Sequence, residues 1–344
     1  MSKKGMATLL IGCCLVFFLV PAVSAKPIKI IYGSQNPETS WGHKHAIAPY
    51  AEKIEKATKG KVKIDLYANQ TLCKGKDLWN AAKSGMAHLI WGFHGYWPGM
   101  TPLADVISLP AIGYTTAEKG SEILWRLYEK YPEIQAGFKD NHILCLYTST
   151  PYYLITTKKQ VKTLEDLKGM KIRMTGGPPT EVMKALGGVP VMIPMPDNYI
   201  SLQKGVIDGM GAPWEAIHGY RLYEVVKYYT QVPFPAVYFS VSMNKAKWNS
   251  LPKDVQDAIN SVSGLEGSKF WGRNFFDEAR NGVEEKLKGM GKTLDIYQLP
   301  ESELARWLEV GGKPIWEAWV KKMEGQGHKK AREILNTAIK MAKE

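Results

Sequence analysis

Between Asp166 and Pro179 the chain reads DLKGMKIRMTGGPP, and Met170, Ile172 and Met174 alternate there with Lys171, Arg173 and Thr175. Period-two alternation predicts a strand. Gly176, Gly177, Pro178 and Pro179 stop it and open a helix predicted from Pro179 to Leu186. Related patterns predict strands in PIKIIYG (27–33), KVKIDLYANQ (61–70), HLIWGF (88–93), HILCLYTS (142–149), PYYLITTK (151–158), VPVMIP (189–194) and VYFSVSMN (237–244). Helical spacing predicts helices over 40–58, 75–87, 117–138 and 198–204, and another starting at Pro213, where proline suits a first turn. From Asp254 onward the pattern is almost wholly helical, with Gly264, Gly267 and Gly272 as candidate bends. Strands that alternate with helices imply α/β lobes with mostly parallel sheets.

The first 25 residues follow another rule. Lys3 and Lys4 precede an apolar run from Met6 to Val20, and Val23-Ser24-Ala25 offers small residues for cleavage. This is the pattern of a secretory signal peptide, and the run is short of the ~20 residues a spanning helix needs. Leu10-Ile11-Gly12-Cys13 resembles a lipoprotein box. Apolar residues rather than a polar tether follow Cys13, which argues against lipidation. Removing 25 of the 344 residues leaves 319, a length that favours two lobes over one core.

The net charge of +12 includes Lys3 and Lys4, so the exported chain carries +10. Its basic residues are dispersed, and no basic block interleaved with aromatics suggests a nucleic-acid groove. Two cysteines survive cleavage, Cys73 and Cys145. An oxidising compartment would permit a bridge between them, which the spacing leaves open.

Motifs for catalysis are thin. His43 and His45 stand two apart on a predicted helix, a poor spacing for one metal. The chain has no nucleophile elbow, phosphate loop or Cys-x-x-Cys. Neither a cofactor nor a metal is expected. Asp197 and Asp208 read as a helix cap and a turn residue. Arg173 stands apart: it sits at a strand's carboxyl end, where ligands gather in α/β sheets. Its planar fork matches a carboxylate with two parallel hydrogen bonds. Gly176 and Gly177 permit close backbone approach, and the following helix turns its positive end nearby.

LEDLKGMKIRM, then ALGGVPVMIPMPDNYISLQKGVIDG, and later MNKAKWNSLPKDVQDAI resemble the extracytoplasmic solute-binding proteins of TRAP transporters, the DctP type. The resemblance covers essentially the whole exported chain. It implies a two-lobe α/β fold like that of type II periplasmic binding proteins, with an interlobe ligand cleft and long C-terminal helices. It also implies lobe I over 26–148 with part of 236–265, and lobe II over 149–235 with part of 266–310. Residues 311–344 would form a helical segment on the lobes. Such a protein is a periplasmic monomer, not an enzyme, that hands an organic acid to small and large membrane subunits.

Under this resemblance Arg173 matches the carboxylate-clamping arginine, and Asn36 a position that often contacts ligand. Tyr152 stands where many members have a second arginine, Ala212 where many have an asparagine, and Met195 replaces an aromatic. Phe93 falls where an acid can read ligand hydroxyls. Polar readers are thus lost, while Trp91, Phe93, Tyr96, Trp97, Tyr152, Tyr153 and Trp214 fall in segments expected to border the cleft. A pocket without such readers disfavours a heavily hydroxylated ligand, because an unpartnered buried group costs about 1–3 kcal/mol. The expected guest is a monocarboxylate with an apolar or aromatic body. A binding protein for an ABC importer or sensor kinase, and an exported enzyme using the same cleft, remain alternatives.

Overall fold

The computed structural model describes residues 26–292 and 295–344. The segment expected to be a signal peptide, with Cys13, lies outside them. Two sheets divide the strands. The first has the order β2-β1-β3-β10-β4, with β1 Ile28–Gly33, β2 Val62–Tyr67, β3 Leu89–Phe93, β4 Asn141–Thr148 and β10 Tyr238–Asn244. The second has the order β11-β9-β5-β8-β6-β7. Its members are β5 Tyr153–Thr156, β6 Lys171–Met174, β7 Val189–Met192, β8 Gly209–Ala212, β9 Tyr228–Gln231 and β11 Ile296–Gln298.

Both sheets are mixed, which corrects the expectation of mostly parallel pairing. β1 runs parallel to β2 and β3, but β10 enters antiparallel between β3 and β4. In the second sheet β6 is parallel to β7 and β8, while β5 is antiparallel to β8 and β9. The cause is the connectivity. The chain crosses between sheets from β4 to β5 and back from β9 to β10, and the returning strand must insert against the grain. Every residue of β3 and β10 is buried, as expected for central strands covered on both faces.

A third crossing is helical. Gly264–Gly272 packs on the helix Ala117–Lys130 and on β4, whereas Glu278–Gly289 packs on the helix Trp214–Gly219 beside the second sheet. A wide π-type turn, Arg273–Asp277, joins them and buries Phe275 and Phe276. Gly267 and Gly272 are therefore not bends. A Cβ there would lie 2.8 Å from the Cys145 Sγ or 2.5 Å from the Ala117 carbonyl, so they let this helix approach its neighbours. Cys145 and Cys73 are both free thiols, and no bridge joins them.

The predicted helix 117–138 breaks at Pro132, whose missing N–H ends the ladder. Among the described residues no helix is long and apolar enough to cross a membrane.

Candidate functional site

Arg173 occupies β6 with Ile172 and Met174, and all three are buried although Lys171 is exposed. Arg173 as a whole is only 1 % exposed. Its Nε donates to the Ile193 carbonyl at 3.0 Å, while Nη1 has no partner. No carboxylate among the described residues pairs with it. A buried cation without a counter-charge is costly, and an anion at the free Nη1 would offset that cost.

Beside Arg173 the two lobes enclose a small cavity of about 20 Å³. Gln35, Asn36, Trp91, Phe93 and Phe239 line it from the first-sheet side, and Tyr152, Met195, Pro213, Glu215, Ala216 and Tyr220 from the other. Phe275 and Phe276 of the wide turn close its back. That volume suits roughly one water. A larger guest needs the lobes to part and the side chains to repack before they close around it.

Closure is held by polar contacts across the cleft. The Tyr96 hydroxyl donates to Gln35 Oε1 at 3.0 Å and accepts the Met195 N–H at 2.8 Å. The Gly176 N–H donates to the Gly95 carbonyl at 3.1 Å, and the Tyr220 hydroxyl lies 3.5 Å from Asn36 Oδ1. Tyr96→Phe should orphan the Met195 N–H only in the closed form. The expected result in calorimetry is roughly a three- to tenfold loss of affinity, the worth of one net hydrogen bond. Unchanged affinity would show that the bond plays no part in closure.

The residues anticipated from sequence separate into two groups. Asn36, Phe93, Tyr152 and Met195 line the cavity, with Arg173 next to it. Trp97, Ala212 and Trp214 do not. Trp97 packs against Trp79 and donates to the Lys76 carbonyl on the outer side of its lobe. Trp214 lies in the second lobe's core against Tyr153 and Tyr229, and Ala212 pairs with Tyr153 inside the sheet. The glycines also differ from expectation. Gly176 meets the opposite lobe, and Gly177, at φ +79°, faces the Asp105 carboxylate rather than the cavity. Sequence reading missed Glu215, Tyr220 and Gln35, none of which carries a motif.

A larger groove of about 760 Å³ runs between Pro98–Leu109, the helix Pro178–Ala185 and the helix Lys313–Gly325. Asp105 borders it and accepts the Tyr238 hydroxyl at 2.9 Å. That hydroxyl continues through Thr101 to the buried His94. The groove has no buried unpaired cation comparable to Arg173. Among the described residues no cluster could hold a metal.

Burial pushes the Glu215 carboxyl up to about 8, although the Gly42 N–H opposes the shift. It pushes Asp105 up to about 7, with Tyr238 and Lys322 opposing. Burial also lowers His94 to about 3, and it lowers His142 to about 4 with help from Lys245. Unfolded carboxyls titrate near ~4 and histidines near ~6.5. At pH ~6.5 the native state therefore holds most of two acid protons that the unfolded chain has released. It gives up that of Asp105 near pH 7 and that of Glu215 near pH 8, so stability falls as pH rises through this range. Below ~6.5 the histidines withhold protons that the unfolded chain binds, which opposes the acids' effect. The melting temperature should drop from pH 6.5 to 8.5, by roughly 2–4 °C per kcal/mol lost, and less in Glu215→Gln. A rising curve in scanning calorimetry would contradict this.

A family model for bacterial extracellular solute-binding proteins, family 7 (DctP), matches residues 32–323. The C4-dicarboxylate-binding periplasmic protein DctP of Rhodobacter capsulatus is 28% identical over 302 residues, which cover 85% of this chain and 86% of that protein. Among solved structures, a TRAP solute-binding protein of Rhodoferax ferrireducens T118 with copurified benzoate superposes with a TM-score of 0.85 at 27% identity. It covers 92% of this chain and 97% of its own. A marine metagenome TRAP solute-binding protein specific for aromatic acid ligands, crystallised with 3-hydroxybenzoate, gives 0.86 at 26%, covering 93% and 99%.

Proposed function

Because the chain belongs to the DctP family of bacterial extracellular solute-binding proteins, we propose that it captures an aromatic monocarboxylate between its lobes. It then delivers that acid to the membrane subunits of a TRAP transporter. The observation that carries this reading is Arg173, a buried guanidinium with an unpartnered Nη1 beside an aromatic-walled interlobe cavity. The carboxylate docks on the guanidinium in the open form. The ring is then covered by Phe93, Tyr152, Met195 and Trp91 as the lobes close.

Closure follows because the guest binds the closed arrangement better than the open one. Exclusion of water strengthens the ion pair at the same moment. Benzoate in one solved relative and 3-hydroxybenzoate in another support this class of guest. The apolar run at residues 6–20 supports export to the periplasm through a cleaved leader.

The test is calorimetry of the purified protein with benzoate, succinate and glucuronate. Binding of benzoate, with glucuronate at least ~100-fold weaker, is the expected result. Preference for the sugar acid or the dicarboxylate would overturn the reading.

A further inference from the structure

Arg173 accounts for one end of a guest, and the cavity is lined by a second buried polar group, of which one oxygen has no hydrogen-bond partner within the protein. Glu215 lies in the first turn of the helix Trp214–Gly219, is 4 % exposed and lines the cavity. Its Oε1 is fully buried without a partner. We propose that Glu215 is the cavity's second reader: its carboxyl group takes up one hydroxyl on the guest's body. The site then selects an aromatic monocarboxylate bearing an uncharged hydroxyl over the same acid without it. This rests on the reading of the cavity as an organic-acid site.

Three observations support the assignment. Buried polar groups are almost always partnered, so an orphaned carboxyl oxygen on a residue that lines the cavity calls for a guest group. The Tyr96 hydroxyl at the wall is already engaged with Gln35 and Met195, and the unpartnered Trp91 indole N–H can only donate, so Glu215 is the wall's unpartnered acceptor. Finally, burial keeps Glu215 protonated at neutral pH. A carboxylic acid both donates and accepts, as does a hydroxyl, so the two groups are complementary. A second carboxylate on the guest would find no further cation, since no lysine or arginine stands among the residues that line the cavity. The pocket therefore keeps an acidic reader beyond its arginine, although Phe93 and Met195 at its wall supply no polar group.

The test compares wild type, Glu215→Gln and Glu215→Leu, each checked for folding by circular dichroism. Calorimetry at pH 6.5 measures benzoate and the three monohydroxybenzoates. In the wild type one hydroxybenzoate isomer should bind roughly ten- to hundredfold more tightly than benzoate. Glu215→Leu should lose that preference while holding benzoate within about threefold, because the ring then meets an apolar wall. Glu215→Gln keeps a donor and an acceptor and should restore most of the preference. A general packing role for Glu215 would lower all four affinities together.

If wild type binds benzoate but shows no isomer preference, or if Glu215→Leu retains the preference, the assignment is wrong and the organic-acid reading stands. If wild type binds none of the four, both fail. Should Glu215→Leu not fold, the Glu215→Gln comparison with Glu215→Ala decides in the same way.

Discussion

Arg173→Ala is expected to weaken binding of benzoate or its hydroxylated relatives by more than about a hundredfold. The guest's carboxylate would be buried with no opposite charge, and breaking a buried pair costs about 3–5 kcal/mol. Arg173→Lys should fall between, since an ammonium keeps the charge but not the planar fork. Stability of the ligand-free protein should move little or rise. In that state the native guanidinium donates through Nε to the Ile193 carbonyl, but its Nη1 is buried without a partner. Lost affinity with retained stability marks a group kept for binding rather than folding. Calorimetry paired with thermal melts measures both, and undiminished affinity in Arg173→Ala would remove the clamp.

The second large effect concerns closure. A Cβ placed on Gly95 would lie 2.4 Å from the Phe93 ring and 2.9 Å from Thr175 Cβ in the opposite lobe. Gly95 is half-buried, and the group its side chain would meet in its own lobe is the Phe93 ring, which can turn away, so Gly95→Val should fold. Its side chain forces Phe93 toward the cavity and holds Thr175 away, which breaks the Gly176–Gly95 bond between lobes. Overpacking of this kind costs about 1–3 kcal/mol, which amounts to a ten- to hundredfold loss of affinity. Small-angle scattering should show little compaction on adding benzoate to the variant. Wild-type compaction with wild-type affinity would mean that close approach at Gly95 is not needed.

Much of the frame was legible because burial leaves periodic traces. The alternation in KIRM placed Arg173 at a strand end, and the Gly-Gly-Pro-Pro sequence placed the turn and helix after it. Other features lacked a local trace. β9 and β11 have four and three residues, and β11 is ordered by pairing with β9, a partner 65 or more residues away. Strand direction was hidden because periodicity is the same for parallel and antiparallel neighbours. Only the crossing from β9 to β10 decides that β10 runs against β3.

The site divides in the same manner. Aromatic side chains look alike in sequence whether they fill a core or wall a cleft. Trp214 serves the core, with its ring centroid 5.2 Å from that of Tyr153, while Trp91 reaches the cavity. Glu215 was invisible because an acid in a helix's first turn is ordinarily solvated. Its burial appears only once the Ser40–Gly42 segment folds against it.

A crystal structure of the protein grown with benzoate addresses the central claim most directly. The carboxylate should lie within hydrogen-bonding distance of the Arg173 guanidinium, including Nη1, with the ring between Phe93 and Tyr152 in the closed cleft. A benzoate seated instead in the groove beside Asp105, or one whose carboxylate points away from Arg173, would contradict it.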